Sequence, residues 1–251
     1  VYWKNIRIKT KNIQPLAFPA GVYVANLQPN QLTTYEKQNG WKLLFDGKTT
    51  NGWRGAYKQT FPVKGWEIND GILKVLASTG GESTNGGDIV TNEQYSAFDL
   101  SFEFKLTPGA NSGLKYFVTL NENNTGSAIG LEYQLLDDTL HPDARAGRDG
   151  NRTLASLYDL IKAQKTTRFI RQPANWNTAR IVVYPNNHVE HYLNGVKVLE
   201  YDRGSQAFRD LVAISKYKVW KDFGEAPKGH ILLQDHGNEV WFKSIKIREL
   251  K

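Results

Sequence analysis

The sequence lacks two residue types entirely, because its 251 residues include no cysteine and no methionine. The absence of cysteine excludes disulfide bonds, thiolate metal ligands and a cysteine nucleophile. Long hydrophobic runs are absent too, and no stretch approaches the roughly 18 apolar residues of a membrane-spanning helix. Glycine-rich nucleotide-binding loops and the Gly-x-Ser-x-Gly nucleophile turn are also missing. The chain therefore falls outside the thiol enzymes and the common nucleotide-binding and serine-hydrolase classes.

Composition and charge describe a globular chain. Apolar residues make up 40% of the sequence and aromatic residues 12%, with a mean hydropathy of -0.52. Lysine and arginine outnumber aspartate and glutamate by 32 to 25, which gives a net charge of +7. The densest basic stretches, 162–171 and 216–221, are short and interrupted by apolar residues, whereas nucleic-acid binders gather charge into stripes or tails. We therefore expect a solvated basic surface and no nucleic-acid partner.

Apolar residues alternate with polar ones in several segments, which is typical of β-strands with one buried face. In Phe98–Leu106 every even-numbered residue is apolar and every odd-numbered residue is polar. Asn194-Gly195 predicts a hairpin, because a type I′ turn needs positive φ at both positions. Helical signals are few: a capping box spans residues 33–36, and a short helix is predicted near 205–211. Further strand-like runs lie at 71–76, 113–120, 130–136, 179–184, 229–234 and 240–248. The pattern favours an all-β sandwich or barrel.

The two ends of the chain resemble each other. Residues 1–9 align without gaps on residues 240–248, with four identical positions. Two β-strands can share such a pattern by chance, since β-branched and aromatic residues are common in strands. The ungapped agreement favours a repeat instead. We therefore expect residues 1–9 to be the terminal strand of a preceding, tandem copy of the domain, residues 10–32 to be a linker, and residues 33–250 to form one β-sandwich.

Short motifs follow one another along the predicted sandwich. The first is GWKLLFDGKT at 40–49, followed by Gly52-Trp53. The later ones are Trp66 with DGIL (70–73), NSG (111–113), EYQLLDD (132–138), LYDL (157–160), NWN (175–177), LNG (193–195) and GHILLQDHG (229–237). In this order they resemble the 3-keto-disaccharide hydrolase domain family, long described only as a concanavalin-like domain of unknown function. Each piece alone is weak, but the combination covers residues 33–250.

The resemblance implies a concanavalin A-like jelly-roll sandwich of two antiparallel sheets, with a carbohydrate site on its concave sheet. It also implies an enzyme that cleaves glycosides already oxidised to a ketone at C3. Such a ketone acidifies the C2 proton, so a base can remove it, the glycosidic oxygen leaves C1 by β-elimination, and water adds to the enone. The family is typically exported by glycan-degrading bacteria, which implies a periplasmic or cell-surface location. The alternative is a non-catalytic sugar-binding module on the same fold.

Glu132 and Gln134 are two residues apart and therefore lie on one face of the predicted strand 130–136. A carboxylate and an amide on one face suit a polar binding surface, although an ordinary solvent-facing edge has the same pattern. The family resemblance favours the binding surface. No strand carries the Glu-x-Asp-x-x-Glu pattern of retaining β-glucanases, so the sequence gives no support to their two-carboxylate mechanism.

Acidic and imidazole groups follow in the next loop. Asp137 and Asp138, with His141 and Asp143, carry groups suited to sugar hydroxyls or to a divalent metal ion, the one cofactor that the sequence suggests. The alternative is a turn rich in acidic residues, and it is favoured for Asp143. His236 is the leading imidazole for acid–base chemistry because of its place in the closing motif, although a histidine beside a glycine turn is more often structural.

The remaining candidates are placed to bind a sugar. Glu103 belongs either to a charge pair or to the concave floor, and Trp220 either stacks on a sugar ring or packs at the rim. A loop at 144–151, which includes Arg145, is positioned to close over a ligand. The complete prediction assigns catalysis to Glu132, Asp137, Asp138 and His236, and substrate binding to Glu103, Asn111, Ser112, Lys115, Gln134, His141, Arg145, Trp220 and Gln234.

Two local predictions concern packing. Asn111-Ser112-Gly113 has the composition of a turn, which in the family leads into a concave strand and brings Lys115 near the floor, where it would stabilise an enolate. Five tryptophans fall inside strand-like motifs and are predicted to lie in the core: Trp41, Trp53, Trp66, Trp176 and Trp241.

Overall fold

The structure is a computed structural model that describes residues 4, 7, 8, 10–12, 26–78, 81–120 and 128–251. Most of the strand predicted at 1–9, and residues 13–25 of the predicted linker, lie outside these residues. In chain order the helices and strands are α1 (Thr34–Gln38), β1 (Trp41–Leu43), β2 (Trp53–Gly55), β3 (Trp66–Asn69), β4 (Ile72–Val75), β5 (Ile89–Thr91), β6 (Phe98–Leu106), β7 (Asn111–Val118), β8 (Leu131–Leu136), β9 (Asn177–Val183), β10 (His188–Leu193), β11 (Val196–Asp202), α2 (Gln206–Ala213), β12 (His230–Leu233) and β13 (Val240–Glu249). Short 3-10 turns occur at Pro142–Arg145, Thr167–Phe169 and Lys216–Val219.

The strands form two antiparallel sheets, which confirms the predicted all-β jelly-roll class. The larger sheet has eight strands in the order β11-β10-β9-β6-β13-β4-β3, and β1 pairs with β13. The smaller sheet has five strands in the order β2-β5-β12-β7-β8. Strands distant in sequence are neighbours in both sheets, as long crossovers between two packed sheets require. No helix of the described residues has the length and apolar character needed to cross a membrane.

The core lies between the two sheets and confirms the alternation read in β6. The even-numbered side chains of β6 are buried, whereas Glu103 and Lys105 are only partly covered. The ring of Phe102 lies 5.9 Å from that of Tyr133 in the five-stranded sheet, in an edge-to-face arrangement. Such pairs add specific packing energy to the burial of apolar area. The alternation in the sequence therefore predicts correctly which face of β6 packs into the core between the two sheets.

The predicted turn and helix signals are confirmed as well. Asn194 and Gly195 connect β10 to β11 with φ values of 50° and 82°, as a type I′ turn requires. Thr33 caps α1, and its capping box with Glu36 is complete. Ser205 caps α2 by accepting a hydrogen bond from the Phe208 backbone amide at 3.1 Å.

Two of the tryptophans predicted in the core lie elsewhere. Trp176 and Trp241 are half-buried and stand beside lysines of the outer face of the eight-stranded sheet. The Lys105 ammonium lies 4.1 Å from the ring of Trp241, and the Lys243 ammonium lies 4.2 Å from that of Trp176. The cation–π contacts explain why these rings are stable outside the core. The prediction holds for Trp41, Trp53 and Trp66, which are buried.

The last part of the predicted linker packs on the sandwich. Asn30 accepts a hydrogen bond from the backbone amide of Ser244 at 2.8 Å and donates to the carbonyl oxygen of Gly71 at 2.7 Å. Ser244 has a φ of 53° and sits where the register of β13 against β6 shifts. Asn30 therefore bonds to an amide at a bulge, where ladder pairing is interrupted. Asn26 also reaches the domain, donating to Glu36 Oε2 at 2.7 Å.

The five-stranded sheet is covered on both faces in its central part. Every residue of β7, β8 and β12 is buried, unlike those of β6. The predicted turn at Asn111-Ser112-Gly113 is wrong, because these residues begin β7 and pair with β8. Polar side chains on the outer face of these strands are therefore buried, and burial without partners is costly.

A buried polar network links the two sheets through the core. The ring of His191 is fully buried; its Nδ1 lies 3.1 Å from the carbonyl oxygen of Ala155 and its Nε2 lies 2.8 Å from the Tyr116 hydroxyl. Because a carbonyl oxygen only accepts, Nδ1 carries the proton and Nε2 accepts from Tyr116. The Tyr116 hydroxyl is also 2.8 Å from that of Tyr201. Burial lowers the pKa of His191 to about 4.

This pKa predicts a loss of stability in acid. In the unfolded chain a histidine titrates near pH 6.5, so between pH 6.5 and 4 the unfolded state binds more protons than the folded state. The contribution is complete above about pH 6.5 and declines as the pH falls, by about 3 kcal/mol at pH 4. We expect urea unfolding at pH 7 and pH 4 to show this decline, with a markedly smaller decline in His191→Gln. An equal pH dependence in the two proteins would contradict it.

Candidate functional site

Polar side chains converge on the outer face of the five-stranded sheet, away from the core. The register of β7 and β8 pairs Lys115 with Glu132 and Gly113 with Gln134, so these positions lie on one face. Lys115 and Glu132 each keep 5% of their exposure and Gln134 keeps 1%. The structure therefore places three predicted site residues side by side in a buried setting, not on a solvent-facing edge.

Gly113 provides the space in which the Glu132 carboxylate lies. A methyl group at this glycine would stand 2.3 Å from Glu132 Oε1 and 2.9 Å from its Cδ. Gln134, the cross-strand partner of Gly113, holds the same carboxylate. With the amide orientation that satisfies its neighbours, its nitrogen donates to Glu132 Oε1 at 3.2 Å and to the carbonyl oxygen of Ser112 at 2.9 Å. The carboxylate is therefore positioned by a missing side chain and by one amide.

Burial and nearby charges set the protonation of the central groups. Burial raises the pKa of Glu132 above its ordinary value, and the ammonium groups of Lys115 and Lys216 only partly oppose the rise. For Lys115, burial lowers the pKa, but Glu132, Asp88 and Glu82 together raise it above its ordinary value. The site thus combines a carboxylate that holds its proton more readily than usual with an ammonium that remains charged.

A cavity of about 260 Å³ opens above this part of the sheet, with Lys115 and Lys216 in its lining. Its walls include Glu82, Tyr217 and Trp220. Glu82 lies 3.8 Å from the Lys115 ammonium. The ring of Tyr217 stacks on Phe223 at 3.9 Å, which fixes one wall. The volume is that of a small-molecule site.

Two polar atoms near this cavity lack a hydrogen-bond partner in the described part of the chain. They are Nε1 of Trp220 and Oε1 of Gln234, both buried. The amide nitrogen of Gln234 already donates to Glu82, so its oxygen is the free end of that side chain. Buried polar atoms without partners are rare in folded proteins and are expected where a ligand completes the network. Both residues were predicted to bind substrate.

An imidazole pair lies near the start of β7. Asn111 Nδ2 lies 3.3 Å from His236 Nε2, and the rings of His236 and His141 are 6.3 Å apart. His236 contributes to the field at Glu132, because it favours the ionised carboxylate. Burial and the neighbouring His236 lower the pKa of His141, whose Nδ1 accepts from the Asp143 backbone amide at 3.2 Å. The structure thus brings predicted residues His236, His141 and Asn111 together. We refer to Glu132, Lys115, Lys216, Gln134 and His236 as the Glu132 site.

Asp137 and Asp138 are engaged elsewhere. Asp137 accepts from the backbone amides of Gly109 at 2.8 Å and Thr139 at 2.9 Å. Asp138 accepts from the Leu154 amide at 2.7 Å and pairs with the Lys165 ammonium at 2.8 Å. These bonds connect the end of β8 to its flanking loops, as expected for a structural turn rich in acidic residues. The two aspartates line a different cavity, of about 170 Å³, whose lining includes none of the residues of the Glu132 site, so their catalytic role stays a prediction.

Three predicted substrate-binding residues are also directed elsewhere. Glu103 lies on the outer face of the eight-stranded sheet, 3.5 Å from the Lys243 ammonium across the strand pair, so the charge-pair alternative is correct. Ser112 donates its hydroxyl to the carbonyl oxygen of Gln234 at 2.9 Å. Arg145 is exposed and donates to the carbonyl oxygen of Thr139 at 3.2 Å. None of the three contributes a free polar group to the Glu132 site.

Sequence reasoning missed other residues of this surface. Asp88 is buried directly before β5, accepts from the Asp235 amide at 2.9 Å, and has a pKa that burial raises. Tyr158 places its hydroxyl 2.8 Å from Asp143 and its ring 4.1 Å from the Lys216 ammonium. The LYDL motif could have pointed to Tyr158, and an acid preceding a buried strand could have pointed to Asp88. No local pattern distinguishes Lys216.

The potential metal ligands of the described residues converge at a different place. One group of three, His188, Glu190 and Glu200, has ligand atoms within 4.8 Å of one another. It lies at the β10–β11 hairpin of the larger sheet, where the Lys197 ammonium contacts Glu190 at 2.9 Å and Glu200 at 2.6 Å. Because the lysine ammonium contacts both carboxylates, the group is explained as an ion-pair network.

The fold and this surface define a concanavalin-like jelly-roll β-sandwich with a buried acid–base cluster on its smaller sheet. The model of the 3-keto-alpha-glucoside-1,2-lyase-like domain family matches residues 40–248. The chain belongs to this family, which confirms the resemblance read from the motifs.

Relatives agree with this assignment. A protein named 3-keto-disaccharide hydrolase from Bacteroides thetaiotaomicron is 38% identical over 235 residues, which are 84% of this chain and 79% of that protein. A crystal structure of a candidate glycosyl hydrolase from Parabacteroides distasonis has a TM-score of 0.77 at 30% identity, over 89% of this chain and 100% of that one. A second such structure from the same organism has a TM-score of 0.62 at 28% identity, over 84% of this chain and 100% of the other.

Proposed function

We propose that this protein is a carbohydrate-active enzyme that cleaves 3-keto-glycosides by removing the C2 proton, eliminating the glycosidic oxygen and hydrating the enone. The observation that carries the proposal is the Glu132 carboxylate, which has a raised pKa, faces Lys115 across one strand pair and lies beside a cavity. Family membership and the name of the Bacteroides relative support the same substrate class.

Glu132 is the proposed base. A carboxylate whose pKa is raised toward the working pH is a better proton acceptor than an ordinary one. Removal of the C2 proton places negative charge on the C3 oxygen, and this charge needs a fixed cation or donor. Lys115 supplies it, because its raised pKa keeps the ammonium charged in a buried setting. The pairing of these two residues across β7 and β8 is what makes the step feasible.

His236 is the proposed acid for the leaving oxygen. If the Asn111 amide donates to Nε2, the ring proton is on Nδ1 and is available to the glycosidic oxygen. Elimination then breaks the C1–O bond and forms the C1=C2 double bond. Water adds its hydroxyl group to C1 and its remaining proton restores His236, while the proton taken by Glu132 returns to C2. The sum is hydrolysis, and neither substrate nor protein is oxidised or reduced.

The deciding experiment compares a 3-keto-disaccharide with the same disaccharide unoxidised, each incubated with the purified protein. We expect rapid release of the leaving sugar from the keto substrate and none from the unoxidised disaccharide. The release is measured by chromatography or by a coupled assay. Equal turnover of the two would indicate ordinary glycoside hydrolysis. Binding without turnover would indicate a sugar-binding module. Parallel reactions with EDTA, then with added divalent ions, show whether a metal contributes.

Trp220 is proposed to stack on the sugar, because it is half-buried at the cavity wall with an unpartnered Nε1. We expect Trp220→Ala to raise KM about tenfold while kcat changes little, since stacking binds substrate and transition state alike. Trp220→Phe keeps an aromatic face and is expected to recover most of the affinity. An unchanged KM in a folded Trp220→Ala protein would exclude the contact.

A further inference from the structure

A second cavity, of about 360 Å³, adjoins the first and is lined by basic side chains. Its lining includes Arg148, Arg152, Lys216 and Lys218, with Asp159 as the one acidic residue. We call it the basic cavity. Lys216 lines both this cavity and the one beside Lys115, so the two are neighbours.

Part of the positive charge in the basic cavity is not paired with a carboxylate. Arg152 is paired, with Asp143 at 2.9 Å and Asp159 at 2.7 Å. The second oxygen of Asp159 accepts from the Lys216 backbone amide at 2.8 Å. Within the described ranges, Arg148, Lys216 and Lys218 form no ion pair. Arg148 and Lys218 therefore bring unpaired positive charge to this concavity, which attracts an anion. Lys216 lies in the field of Glu132 and Glu82, and burial lowers its pKa.

Arg148 carries the most specific sign of a missing ligand. Its Nη2 is buried and lacks a hydrogen-bond partner in the described part of the chain. The loop that carries it is well held: the Arg148 amide donates to Asn151 Oδ1 at 2.9 Å, and the Asn151 amide donates to the Arg148 carbonyl oxygen at 3.0 Å. An arginine on a fixed loop, with a donor buried and unused, suits the planar oxygens of a carboxylate, sulfate or phosphate group.

We propose that the basic cavity binds an oxyanion carried by the leaving group of the substrate, so that the preferred 3-keto-glycosides are acidic. This inference rests on the proposed function for the identity of the reacting bond. The sugar that holds the ketone occupies the cavity beside Lys115, and the leaving group extends past Lys216. Arg148 and Lys218 bind its anionic substituent, while Arg152 remains fixed by its two aspartates.

The test uses matched 3-keto-disaccharides whose leaving sugar is glucose, glucuronate or glucose 6-sulfate. We expect kcat/KM to be about tenfold higher for an acidic substrate than for the neutral one, with the preference shrinking at high salt. The two acidic substrates distinguish a carboxylate from a sulfate as the preferred group. Arg148→Gln is expected to remove most of the preference, about tenfold in the acidic-to-neutral ratio. Lys162→Gln is the control, because it removes one charge beside Gly150 but outside the cavity lining.

A ratio near one, or a ratio that Arg148→Gln leaves unchanged, would overturn the proposal. Failure of the proposed function gives a different result, namely no turnover of any keto substrate. In that case the anion site is tested by titrating the protein with sodium glucuronate and with sodium sulfate, with binding measured by calorimetry or NMR. If Arg148→Gln weakens the binding of either anion and Lys162→Gln does not, the result supports the anion site. Equal affinities in the two variants would reject the anion site.

Discussion

Glu132→Gln is expected to lower kcat on a 3-keto-disaccharide about a thousandfold, while substrate affinity changes less than threefold. Glutamine keeps the shape of the side chain but cannot accept the C2 proton. Lys115 would still face Asp88 and Glu82, so the variant keeps carboxylates near the buried ammonium. Turnover is measured by product release and affinity by calorimetry, with the thermal midpoint confirming that the variant is folded.

A matched control and a pH profile sharpen this result. Glu103→Gln makes the same chemical change on the opposite sheet, where the carboxylate pairs with Lys243, and it should leave turnover nearly unchanged. In the wild type, activity should fall in acid as Glu132 takes up a proton. Because burial raises its pKa, the acid limb of kcat/KM should lie above the pH range of an ordinary carboxylate. Retained turnover in Glu132→Gln would remove this residue from the reaction.

Gly113→Ala is expected to lower kcat about a hundredfold in a protein that still folds. The added methyl group would lie 2.3 Å from Glu132 Oε1, so the carboxylate must move. The contact is with the end of a flexible side chain, which can shift without breaking β7. A displacement of about 1 Å at a reacting group is enough for such a loss of rate. Steady-state kinetics and the thermal midpoint together separate misplacement from unfolding.

The comparison for this variant is Gly81→Ala. No heavy atom lies within 4 Å of the position its methyl group would take, so the same change there should leave kcat unaltered. The combination Gly113→Ala with Glu132→Gln should be no slower than Glu132→Gln alone, because both changes act on one carboxylate. Additive losses in the double variant would show that Gly113 acts through some other group.

The strands were predictable because their information is local. Burial of one face imposes period two on β6, and the Asn194-Gly195 turn imposes its own φ values, so short windows of sequence suffice. The wrong predictions, for residues 111–113 and for two tryptophans, also have local causes. Asn111-Ser112-Gly113 has a turn composition, but Gly113 is needed in β7 to make room for Glu132. Trp176 and Trp241 resemble core residues, yet cation–π contacts with lysines hold them outside the core.

The candidate site was predictable only in part. Glu132 and Gln134 share a strand face, so their spacing alone places them together. Asp137 and Asp138 have the right chemistry, but the choice between a turn and a catalytic site depends on which backbone amides come near. Asp88, Glu82 and Lys216 reach the site from segments distant in the chain, and no local pattern reports such an encounter.

The sequence by itself determined the absence of thiol chemistry, the all-β class, the main strands and, through its ordered motifs, the family. Each of these depends on residue types or on spacings of a few residues. Only the tertiary structure decided that Lys115 faces Glu132 beside a cavity and that Asp137 and Asp138 hold a turn. It also decided that Lys216 joins that cavity to a basic one. Burial, pKa and unpaired charge depend on all the neighbours of a group, and those neighbours come together only when the sheets pair and pack.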